Sequence, residues 1–198
     1  MLGYFQQFLN WLAANKDALA GLASIFAALG TVVAVVIFCS GLRQYKKAES
    51  WKRTEFLAKL YSEFSSDPAA IHAMWMLDGD DRKIFFEEGD KHKAYRINQK
   101  IIVDALRRYS PKREFSQREL HIRDSFDSFF VFIEQFDRAI QNRLVDKNEV
   151  RPYFAYWIAL LNEPGDNDDE EELRRQVLDY VDVIGYQHVQ RFLTRWNN

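Results

Sequence analysis

Apolar and charged positions are distributed unevenly along the chain of 198 residues. From Ala18 to Leu42 no side chain is charged, a run of 25 residues bounded by Lys16 and Asp17 before it and Arg43 after it. At helical rise this run is roughly 37 Å long, enough to cross a hydrocarbon core with some tilt. Beyond it the pattern changes to amphipathic spacing: Phe56, Leu57, Leu60, Tyr61 and Phe64 share one helical face. No breaker lies between, so the helix is predicted to continue to about Ser65. Asp67-Pro68 restarts a helix, with Asp as N-cap and Pro in the first turn, carrying Ile71, Met74, Trp75 and Leu77. Asp78-Gly79-Asp80-Asp81 reads as a loop, Ile84, Phe85 and Phe86 as a short apolar clasp before Gly89, and Tyr95, Ile101, Ile102, Ala105, Leu106 and Tyr109 as a further helix.

Ser116-Gln117-Arg118-Glu119 is a capping box, with Phe115 and Leu120 placed as its hydrophobic staple. It opens a helix of about 27 residues by this periodicity, with Phe126, Phe129, Phe130, Ile133, Phe136 and Ile140 on its apolar face. A second box, Asp146-Lys147-Asn148-Glu149, follows after a short connection that predicts antiparallel neighbours and launches Val150, Tyr153, Phe154, Trp157, Ile158 and Leu161. After an acidic loop, a last helix carries Leu173, Val177, Tyr180, Val181, Ile184, Phe192 and Trp196, with a kink expected at Gly185. No segment alternates as a strand does. The predicted fold is all-α: an interfacial amphipathic segment over 1–17, a transmembrane helix over 18–42, and a cytoplasmic helical bundle over 43–198.

The uncharged run does not read as a signal peptide, because the first 15 residues contain no Lys or Arg, the run is too long and no small-x-small site follows. Phe38 before Cys39 also argues against a lipoprotein site. Arg43, Lys46, Lys47, Lys52 and Arg53 crowd the C-terminal flank, against Lys16 alone on the other, which by the positive-inside rule puts residues 43–198 in the cytoplasm of a single-pass inner-membrane protein, N-terminus outside. These five residues form a candidate anchor for anionic headgroups. Tyr4, Phe5, Phe8, Leu9, Trp11 and Leu12 suit the interface outside; Tyr45 and Trp51 mark the opposite boundary.

Within the span, Ala20, Ser24, Ala27, Thr31 and Ala34 fall in one narrow stripe, with Ala23, Ala28 and Gly30 beside it, opposite Leu22, Ile25, Phe26, Leu29, Val32, Val33, Val36 and Ile37. Small residues let helix backbones approach in lipid, so the stripe is a candidate surface for homo-oligomerisation or pore lining.

Composition narrows the chemistry. Sixteen Phe, nine Tyr and five Trp exclude disorder over most of the chain, and a single Cys excludes an intrachain disulfide or a Cys-built metal centre. No glycine-rich phosphate loop, His-Glu-x-x-His or nucleophile elbow is present, so no catalytic residue, metal or cofactor is expected. His92 near Glu87, Glu88 and Asp90 reads as solvated surface, and His188 falls near an apolar helix face. Residues 43–113 hold 16 basic and 11 acidic side chains, residues 114–198 hold 10 and 17. Arg107, Arg108, Lys112 and Arg113 are the densest basic group, a candidate site for a nucleotide, RNA or acidic protein, set against the ordinary preference of helix C-termini for cations. Asp166, Asp168, Asp169, Glu170, Glu171 and Glu172 suit a helix N-terminus; calcium needs a different spacing.

The order of parts resembles a family of bacterial single-pass membrane proteins classed as a domain of unknown function. The resemblance covers roughly residues 20–162 and sits in the basic stretch after the span, in Phe64-Ser65-Ser66-Asp67-Pro68, and in Phe129-Phe130-Val131-Phe132-Ile133-Glu134 followed by Arg143-Leu144-Val145-Asp146. In architecture the chain is also similar to the small membrane accessory proteins of type VI CRISPR loci, which oligomerise through an N-terminal helix and carry a HEPN-like cytoplasmic bundle. That likeness implies a role in antiphage defence with membrane permeabilisation as its output. HEPN ribonucleases use an Arg followed, after four to six residues, by His; no such pair precedes His72, His92, His121 or His188, a departure that argues against an inherited ribonuclease role and leaves an RNA-cutting enzyme as the weakest of three readings.

Overall fold

The computed structural model describes residues 2–79, 81–88 and 91–196. Helix α1 spans Leu2–Ala14 and α2 spans Lys16–Ser66, the end expected from the unbroken periodicity. The chain divides into two compact units between Lys52 and Arg53, inside α2. In the first, α1 ends at Asn15, whose backbone and side-chain amides both donate to the Trp11 carbonyl, at 3.1 and 2.8 Å. Tyr4, Phe5 and Trp11 of the amphipathic segment are exposed, and the side chains of Phe8, Leu9 and Leu12 lie outside the described ones. From Ser24 onward α2 is long and apolar enough to span a membrane, with a window of mean hydropathy 2.5 and no buried residue in it.

The second unit is all-α apart from one hairpin: α3 (Pro68–Leu77), α4 (Gln99–Leu106), α5 (Gln117–Gln141), α6 (Lys147–Asn162), α7 (Asp168–Ile184) and α8 (Gln187–Thr194). Its helix starts are locally encoded. Asp67 Oδ1 accepts the Ala70 amide at 2.7 Å, and both capping boxes form, Ser116 with Glu119 and Asp146 with Glu149. Each such cap is worth about 1 kcal/mol. Asp67 Oδ1 also takes the Ser128 hydroxyl at 2.9 Å, joining the start of α3 to α5.

The core forms around Phe64, 1% exposed, from the end of α2. Its ring lies 5.9, 5.6 and 6.2 Å from those of Phe129, Phe132 and Phe136 on α5, and 5.2 Å from Phe154 on α6. Phe136 meets Phe154 at 4.7 Å and Phe129 meets Trp157 at 6.2 Å, so α5 and α6 run antiparallel as expected. Phe192 of α8 closes the cluster on Phe154 at 5.4 Å. Tilted and edge-on ring pairs of this kind add about 0.5–1.5 kcal/mol each beyond burial.

Three expectations are corrected. Arg82–Glu88 and Lys91–Ile97 form an antiparallel hairpin, β1 and β2, where the sequence suggested a clasp and a helix start at Tyr95. Ile84 and Phe86 on β1 and Ile97 on β2 are buried on one face, with Tyr95 beside them, while Phe85 points to solvent; the three consecutive apolar residues concealed the alternation. Gly89 and Asp90, like Asp80, lie outside the described residues. Tyr109 lies beyond α4, which ends at Leu106. Gly185 does not kink a helix but ends α7 in the left-handed conformation, φ 87°, and α8 restarts as a separate element.

Candidate functional site

Ala20, Ser24, Ala27, Thr31 and Ala34 are all exposed, as are Ala28 and Gly30 beside them; the side chains of Leu22 and Ala23 are outside the described ones. The two hydroxyls bond within their own helix, Ser24 Oγ to the Ala20 carbonyl and Thr31 Oγ1 to the Ala27 carbonyl, each at 2.9 Å. The opposite face, Ile25, Phe26, Leu29, Val32, Val33, Val36 and Ile37, is 56–70% exposed. Among the described residues, nothing covers either face. Of the basic flank, Arg43, Lys46, Lys47 and Lys52 are exposed in the first unit, whereas Arg53 begins the second and is half-buried.

The group Arg107, Arg108, Lys112 and Arg113 is not gathered as one free patch. Arg108 forms a two-pronged pair with Asp179 of α7, Nη2–Oδ1 2.7 Å and Nε–Oδ2 3.3 Å, which holds the Asp179 carboxyl below its usual range. Arg113 reaches Glu119 Oε1 at 2.6 Å and the Asp104 carbonyl at 2.8 Å, and Arg107 pairs with Asp104 at 3.2 Å. Lys112 is exposed. Arg113 thus serves the C-terminal end of α4, whose carbonyls also receive Arg123 and Gln176: Arg123 Nη1 donates to Ala105 at 2.9 Å, and Gln176 Nε2 to Leu106 at 3.1 Å.

Two polar centres in the core have no counterpart in the sequence reading. Asp137 on α5, 0% exposed, accepts from His188 Nδ1 at 2.9 Å, from Arg195 and from Gln141, with Arg191 at 3.7 Å. A fully buried carboxylate needs such compensation, and here it joins α8 to α5. Asp127, one face away, accepts the hydroxyls of Tyr180 at 2.7 Å and Tyr186 at 2.8 Å. Burial, then the hydrogen bond to Asp127, raises both phenols far above their usual range, so both remain donors at any physiological pH. The Arg123 guanidinium lies 4.6 Å from the Phe115 ring and 4.7 Å from that of Tyr180. The only sequence signal for these centres is an acid interrupting the apolar face of α5; apart from Gln141, its partners lie 51 to 59 residues away.

His72 and His121 are also structural. His121 stacks on Phe86 at 4.9 Å, and His72 meets the same ring edge-on at 4.9 Å, so two imidazoles grip the hairpin. Burial lowers the His72 pKa. The side chains of His92, Glu87 and Glu88 lie outside the described ones, as does Asp90. Among the described residues no group of three His, Cys, Asp or Glu side chains is placed to hold a metal. At α7 the acidic run behaves as a helix start: Asn167 caps it, and Glu171 takes Arg174 at 2.7 and 2.8 Å and the Gly165 amide at 3.0 Å, which hold its carboxyl down at about 2. No family model matches the chain, and no curated protein or solved structure matches it at a significant level.

Proposed function

We propose that the protein is a homo-oligomeric, single-pass membrane effector or accessory. In this reading α2 anchors it in the inner membrane with the N-terminus outside, the small-residue stripe assembles the stalks, and the second unit works in the cytoplasm. The observation that carries the reading is the exposure of every described side chain from Ser24 to Leu42. Each large apolar side chain left in water forgoes about 1.5–3 kcal/mol, so a surface of this kind is suited to lipid or to further copies of itself. The basic flank supports the orientation.

The intrahelical bonds of Ser24 and Thr31 favour a dry helix–helix contact, since neither hydroxyl requires water in a lumen. Pore lining is a further step, which conductance would test. Antiphage defence is the setting that the architectural likeness suggests. The alternative, a tether for a cytosolic protein, RNA or nucleotide at Arg107–Arg113, has less support, because three of those four cations are in internal ion pairs. The test is the size of the full chain in detergent and in lipid nanodiscs, beside Ala27→Leu/Thr31→Leu. The reading expects an oligomer that the double substitution reduces to monomer, with loss of any dye uptake by expressing cells. An oligomer of unchanged size in the variant would remove the role of the stripe.

A further inference from the structure

A cleft of about 350 Å³ opens in the second unit between the end of α3, α6 and the loop that leads into α7. That is within the usual size of small-molecule sites, about 300–1,000 Å³. Its floor is apolar, formed by Leu77, Leu161 and Leu173, at 3%, 1% and 4% exposure. Its rim is rich in acceptors: Asp78, Glu163, Asp166 and Glu170. The one cation on its wall, Arg174, is committed to Glu171 and, at 3.4 Å, to the Leu161 carbonyl. Asp78 Oδ1 holds the Tyr156 hydroxyl at 3.0 Å across the cleft and Asp78 Oδ2 lies 4.0 Å from the Arg82 guanidinium, whereas the carboxylates of Glu163 and Asp166 make no bond to any described residue.

The rim is also pre-formed. The Gly165 amide donates to Glu171 Oε2 and the Asp166 amide to Glu170 Oε2, each at 3.0 Å, and a Cβ at Gly165 would stand 2.5 Å from the Glu171 nitrogen. Little ordering is left for a ligand to impose. A phosphate or carboxylate entering here would meet four acidic groups and no available cation. A protonated amine would meet opposite charge at the rim and apolar surface below it.

We propose that this cleft binds a small organic cation, one or more protonated amines on a short aliphatic or aromatic body, with the ammonium at Glu163 and Asp166 and the body on the leucine floor. Binding bridges α3, α6 and α7 and so stabilises the second unit, whatever the role of the span.

The experiment is calorimetric titration of the full chain in detergent with spermidine and with phenethylamine, with magnesium at matched ionic strength and ADP as controls. The expected result is saturable binding of at least one amine at one site per chain, no binding of ADP, and no displacement by magnesium. Glu163→Gln/Asp166→Asn, which removes two charge-assisted contacts, and Ala159→Phe, which fills the cleft without altering charge, should each weaken the amine about tenfold or more. Asp182→Asn, outside the cleft, should leave it unchanged. Absence of saturable amine binding would overturn the proposal, as would ADP binding in its place. Equal weakening by Asp182→Asn, or none by Ala159→Phe, would also overturn it, since either marks a diffuse acidic surface.

Discussion

Phe26 and Phe64 belong to the same helix, yet Phe26 is 70% exposed and Phe64 is 1% exposed. Around Phe26 the helix is apolar on nearly every side, its hydroxyls bond to its own carbonyls, and no charge occurs from Ala18 to Leu42. Around Phe64 one face is apolar and the other carries Lys59 and Glu63, and rings from α5 and α6 enclose the side chain. A helix that satisfies its own polar groups and presents apolar side chains all round is matched to hydrocarbon. A helix with one apolar face is matched to a protein core with water behind it. The contrast lies in how polar groups are arranged around the phenylalanine, since the residue is the same.

The largest expected effect tests the enclosed half. Phe64→Ala should destabilise the second unit by about 3–5 kcal/mol, read from tryptophan fluorescence during denaturation, whereas Phe26→Ala should leave that transition in place. Equal effects would erase the contrast. Next is Asp137→Ala, which leaves His188 and Arg195 without their buried acceptor and should cost about 3 kcal/mol; a well-folded variant would show that α8 does not depend on this centre. On the exposed half, Val33→Lys should oppose insertion by about 2.5–3.5 kcal/mol and move the chain towards the soluble fraction in carbonate extraction, without altering the denaturation of the second unit. Ser116→Ala should cost about 1 kcal/mol through loss of the cap on α5, measured in the same denaturation.

The smallest effect is a pH dependence at the hairpin. Burial lowers the folded His72 pKa below 6.5, so the folded state binds fewer protons there than the unfolded state does. The stability gained from the neutral imidazole is complete above pH 6.5 and falls as the pH drops below it towards the folded value. Thermal midpoints across that window should decline on acidification in the native protein and less steeply in His72→Gln. Parallel slopes would detach His72 from the effect. Glu171 has the opposite local cause but the same sign: held at about 2, its contribution is complete above 4.5 and is lost as the pH falls from there.

Features that depend on residues within a turn of one another were legible in the sequence. The long apolar helix, its continuation to Ser66, the Asp67-Pro68 start and both capping boxes all follow from side chains three or four positions apart. The hairpin was missed because Ile84-Phe85-Phe86 hides the period of two, although Tyr95 and Ile97 carried it. The basic group at Arg107–Arg113 was visible as a cluster, but its pairing was not. Asp179 lies 71 residues from Arg108. The candidate stripe was legible as a pattern on a helix, and every described side chain around it is exposed, the opposite face as much as the stripe.

Sequence alone therefore determined that one stretch of this chain forms a helix long and apolar enough to cross a membrane and that most of the rest folds as capped amphipathic helices, because hydrophobic run length, helical period and capping act locally. Tertiary structure alone decided which charges are neutralised internally, that Asp137 is buried and Asp127 receives two tyrosine hydroxyls, and where a cleft remains open between α3, α6 and α7. Those outcomes depend on which groups distant parts of the chain bring together, since a buried carboxylate is tolerated only where partners from elsewhere arrive to compensate it.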